Sequence, residues 1–69
     1  MERYKKALYL IKSATVDTLT RIFMLHTLDH ILCNDTDIWY EDKDLLMKEV
    51  KDYDNQLHSE WFAEMQKTP

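Results

Sequence analysis

The chain contains no glycine in its 69 residues. Phosphate-cradling loops, dinucleotide fingerprints and nucleophile elbows all need backbone that only glycine allows, so those enzyme classes fall away at once. The one proline stands at position 69, and the rest is rich in Leu, Lys, Glu, Met and Ala, the better helix formers. An all-α chain is the expected outcome. A lone Cys33 forms no internal disulfide and falls short of the two or more that zinc knuckles and fingers supply. A single helical domain over residues 1–69 must then stand on packing or on a partner, since one core of this size supplies only about 3–5 kcal/mol.

Three amphipathic segments are legible. Tyr4, Ala7, Leu8, Ile11 and Ala14 recur at steps of three or four, with Arg3, Lys5, Lys6 and Lys12 on the other side. Ser13 to Val16 is a weak helix patch, and Asp17 stands where it favours a new amino terminus, which predicts a break there. The second segment, Val16 to Cys33, holds Leu19, Ile22, Phe23, Met24, Leu25, Leu28, Ile31 and Leu32. Its run from Ile22 to Leu25 is apolar all round, which predicts a central helix buried on several sides. Asn34 is the expected left-handed residue at its end.

From Asp42 to Gln66 the residues Leu46, Val50, Tyr53, Leu57, Trp61 and Met65 form one continuous helical stripe. Ile38, Trp39 and Tyr40 before it read equally as a first helical turn, a short extended segment or a docking loop. Lengths of about 12, 18 and 25 residues give a compact three-helix bundle with a short first helix, a buried central helix and a long acidic third helix of about 37 Å.

Charge divides the chain. Residues 1–33 carry five basic and three acidic side chains, a net of +2, while residues 34–69 carry four lysines against ten carboxylates, a net of −6. The acidic half reads either as a solvated helix face or as a negative surface that docks on a basic protein groove. The candidate partner-binding residues are Asp35, Asp37, Trp39, Tyr40, Glu41, Asp42, Asp44 and Phe62: carboxylates for steering, and members of adjacent aromatic pairs that cannot all face one core. Asp35 fails as the start of a calcium loop, because Tyr40 and Leu46 stand where glycine and glutamate are required.

His26, His30 and Cys33 share one helical face at spacings of four and three, a zinc-like set that lacks a fourth ligand unless Asp37, Glu60 or His58 comes alongside. The plainer reading makes the histidines boundary residues and Cys33 a small buried hydrophobe. Cys33 with His30 as a nucleophilic pair lacks an orienting third group and free amides for an oxyanion.

These features predict a non-enzymatic, cytoplasmic protein without a membrane span or cofactor that binds a larger protein with a basic surface and changes its activity. Small, acidic, glycine-free domains of this sort resemble in type, though on no motif, the accessory inhibitors of phages and mobile elements, including those that block nucleic-acid-handling defence enzymes. The rival expectation is a self-associating structural or regulatory module, a homodimer or antitoxin-like protein; a His/Cys metal sensor ranks third. Direct nucleic-acid binding is disfavoured by the net charge of −4.

Overall fold

Helix α1 spans Glu2–Ser13, with an acid in its first turn and Lys12 in its last, the arrangement the helix dipole favours. Tyr4, Leu8 and Ile11 are its buried residues, the expected stripe. It ends as the Ala14 amide turns back onto the Ile11 carbonyl at 3.3 Å. Asp17 then opens helix α2, Thr18–Asn34, from an extended conformation, its carboxylate accepting from the Thr20 amide at 2.8 Å. That bond satisfies one of the amides a helix start leaves unpaired. The Arg21 guanidinium reaches back to the Ala14 carbonyl at 2.5 Å and pins the link to α2.

Helix α3 covers Tyr40–Lys67, 28 residues, or about 42 Å at the usual rise. It begins two residues before the expected start. The Trp39 carbonyl accepts from the Lys43 amide at 3.0 Å, which makes Trp39 the residue that opens the helix. Ile38 is half-buried against the core, so the ambiguous stretch is a docking turn followed by the first residue of α3.

A computed structural model describes residues 2 to 67, and in it the three helices form an all-α bundle. α2 and α3 make the dominant helix pair, α1 leans mainly on α2, and its contact with α3 is slight. One core joins Leu25, Leu28 and Leu32 of α2 to Leu46, Val50 and Leu57 of α3, with the α1 stripe laid over them. Trp61 and Tyr53 pack at its edge.

Three details differ from the sequence expectation. Ile22 and Leu25 are buried, but Phe23 between them is 62% exposed, so α2 is central without being covered on all sides. Two neighbouring helices cover only part of a circumference, and an apolar run longer than that arc must show some of itself. Met65, the last member of the α3 stripe, is exposed because Leu57 is the last fully buried position of α3. Asn34 is not left-handed, since among the described residues none has positive φ. The Asn34 amide group donates to the His30 carbonyl at 2.9 Å instead, and the Asp35 amide closes the helix on Leu32 at 3.2 Å.

Leu25 is fully buried, so Leu25→Ala is expected to cost about 2–5 kcal/mol. That equals the whole net stability available to such a core, and the variant should lose cooperative thermal unfolding by circular dichroism. Phe23→Ala, at an exposed site, should stay within about 0.5 kcal/mol of the parent chain.

Candidate functional site

The turn between α2 and α3 gathers most of the polar side chains that sequence reasoning singled out. Asp35 lies at its centre. Its carboxylate accepts from the Tyr4 hydroxyl at 2.5 Å, from Arg3 at 2.6 Å and from the Asp37 amide at 2.9 Å, and its side chain is only 9% exposed. Lys43, one turn into α3, donates to the Cys33 and Asp35 carbonyls at 2.9 and 3.1 Å. A cation there offsets the negative end of α2 and satisfies carbonyls that helix geometry leaves orphaned.

This network sets the protonation of its members. The Tyr4 hydroxyl first, then the Asp37 amide and Arg3, hold the Asp35 carboxyl below the usual carboxylate range. The same bond to Asp35 raises the Tyr4 hydroxyl above the usual phenol range. Asp35 is therefore a structural clamp that carries α1 to the turn, and its charge is committed inside the molecule.

The remaining candidates divide. Asp37, Glu41 and Asp44 are exposed, Asp42 is half-buried, and Trp39 and Tyr40 are each 63% exposed with their rings tilted against one another at 5.2 Å. Tyr40 and Asp44 stand one turn apart on the same face of α3. Leu45, which lies off the α3 stripe, is also exposed. The exposed Trp39–Tyr40 pair thus stands at the start of α3, with Asp37, Glu41 and Asp44 close to it in sequence on either side. Phe62 is exposed too, but it lies 22 residues along α3 from Tyr40, about 33 Å away. It belongs with Met65 to the other end of the molecule.

The helical face expected to join His26, His30 and Cys33 does not bring them together as ligands. His30 lies beside Asn34 at 3.4 Å, and the exposed Cys33 thiol points to Asp29 at 3.9 Å. Helical spacing fixes a shared face but not whether side chains converge, and here His30 and Cys33 each take a neighbour on their own helix. His26 turns to α3, where its Nε2 lies 2.9 Å from Asp54 Oδ1, and His58 Nε2 lies 3.3 Å from the same oxygen. The two imidazoles are 5.8 Å apart. Asp54 and His58 are separated by four residues on α3, a spacing visible in the sequence; what the sequence does not contain is the register that sets His26 opposite them.

No helix among the described residues is long and apolar enough to cross a membrane.

Because Asp35 is held in its charged form, its contribution to stability is complete above the ordinary carboxylate range near pH 4 and is lost as pH falls through its lower native value. Asp35→Asn is expected to lower the melting temperature at pH 7, and the gap to the parent chain should narrow as pH falls below the ordinary carboxylate range. A gap that stays constant across that range would show that the charge of Asp35 contributes nothing.

Comparison with family models, with curated proteins and with solved structures returns no match for this chain.

Proposed function

We propose that the chain is a non-enzymatic protein-binding module whose acidic, aromatic corner docks on a basic surface of a larger protein and modulates it. The observation that carries this reading is the exposed Trp39–Tyr40 pair set among Asp37, Glu41 and Asp44. Two exposed aromatic rings in contact with one another offer large apolar area at small entropic cost, the usual make-up of an interface anchor. Carboxylates around such an anchor steer a basic partner to it and speed encounter.

A basic groove that receives this corner resembles one that receives nucleic-acid phosphates. An inhibitor of the type used by phages and mobile elements against nucleic-acid-handling enzymes would act by occupying such a groove. The same negative charge argues against direct binding of nucleic acid by this chain. An exposed, unpaired Cys33 suits the reducing cytoplasm, where we place its action.

The second reading is self-association into a homodimer, antitoxin-like or structural. Leu19, Phe23 and Ile31 support it, exposed apolar residues at steps of four and eight along one face of α2.

The test is capture with the tagged chain from its native host, run beside Trp39→Ala and a variant with Asp37, Glu41 and Asp44 each changed to Lys. A captured protein of fixed stoichiometry that both variants lose supports the docking corner. Its association with the charge-reversed chain should be about tenfold or more slower at low salt, with the difference shrinking as salt rises. Capture indifferent to both variants overturns the reading, and a homodimer by light scattering with nothing attached moves the assignment to self-association. Phe62→Ala should leave capture unchanged unless the partner spans the full length of α3.

A further inference from the structure

The His26, Asp54 and His58 side chains meet across the α2–α3 pair, away from the corner described above, with a ligand atom from each lying within 4.8 Å of the others. We propose that these three residues bind a single divalent transition ion, Zn²⁺ by the chemistry of the donors, which staples α2 to α3. Two imidazole nitrogens and one carboxylate oxygen are a borderline donor set that suits zinc and the neighbouring first-row ions better than the hard cations Mg²⁺ and Ca²⁺.

Zinc bonds of about 2.0–2.2 Å in tetrahedral array place ligand atoms about 3.4 Å from one another. Asp54 Oδ1 lies 2.9 Å from one imidazole nitrogen and 3.3 Å from the other, and the three ligand atoms lie within 4.8 Å of one another, so an ion enters with a slight parting of the first pair and a rotation of the exposed rings toward each other. Both ligating nitrogens are Nε2, and ligation requires each ring to present that nitrogen as a lone pair with its proton on Nδ1. The rings are about half exposed, which leaves an entry path and a fourth position for water. Asp29, one turn along α2 from His26, and Lys51, one turn before Asp54, line the adjoining groove with opposite charges.

The two elements bring separate parts of the site. Asp54 and His58 are pre-aligned by one turn of α3, whereas His26 arrives from the antiparallel register of the pair. Occupancy therefore reports on the packed state of α2 against α3, and an ion that binds only that state stabilises it by mass action. For a chain with a small core and one cysteine, such a staple adds to the stability that packing of the α2–α3 pair supplies.

Zinc titrated into the full chain by calorimetry, with thermal melting followed in parallel, tests the site. One equivalent should bind with micromolar or tighter affinity and raise the melting temperature, while Mg²⁺ gives neither effect. His26→Ala and His58→Ala should each weaken binding by more than about tenfold, the lower end of what losing even a supporting partner of a metal ligand does, and should abolish the thermal shift. His30→Ala and Cys33→Ser should retain both. These histidines are half exposed, so the variants should keep the parent helicity; if one fails to fold, the other decides. Absence of binding by the unaltered chain, or binding that survives both histidine variants, overturns the proposal. A melting temperature lowered by His26→Ala in a chain that takes up no zinc would reduce the cluster to an interhelical hydrogen bond.

Discussion

One carboxylate holds the corner on which the bundle turns. Asp35 sits where α2 ends, accepts the Asp37 amide that shapes the turn, and receives Tyr4 and Arg3 from the start of α1, more than thirty residues away in sequence. Without glycine a left-handed residue at a helix end carries a steric cost, none of the described residues adopts that conformation, and the turns are built from side-chain acceptors and donors. Asp17 does this work before α2, and Asp35, Asn34 and Lys43 do it after. The Arg3 side chain is largely exposed and the Tyr4 hydroxyl only partly so, which makes the tyrosine the stronger half of the clamp.

The helices were legible because apolar spacing is a local property. The stripes of α1 and α3, the break near Ser13 and the role of Asp17 follow from residues within one or two turns of one another. What lay beyond the sequence was register. The interior engagement of Asp35, the separation of Phe62 from the acidic corner and the meeting of His26 with Asp54 and His58 all depend on how far one helix slides along another. No periodicity within a helix encodes that distance. The end of α2 is a different kind of miss, because Asn34 has two routes to satisfy a helix terminus and takes the side-chain one.

The two candidate sites lie on different parts of the same helix pair and ask different things of it. The corner presents Trp39 and Tyr40 from the first residues of α3, where the adjoining turn is fixed by Lys43 and Asp35. A rigid platform under an aromatic anchor lowers the ordering cost of binding. The His–Asp–His cluster instead bridges helices at mid-length, where a change in their spacing would be felt directly. The proposed corner and the proposed metal cluster thus rest on the same packed α2–α3 pair.

The slight contact of α1 with α3 governs how the bundle opens. α2 and α3 share most of the core, whereas α1 leans on α2 for most of its hold and barely touches α3. α1 is then the segment that detaches at the lowest free energy, as a partial opening rather than global unfolding. Amide hydrogens of α1 should exchange faster than those around Leu25, Leu32 and Leu57. Each opening bares the apolar face of α2, so the resting population of the detached form sets how readily this chain aggregates.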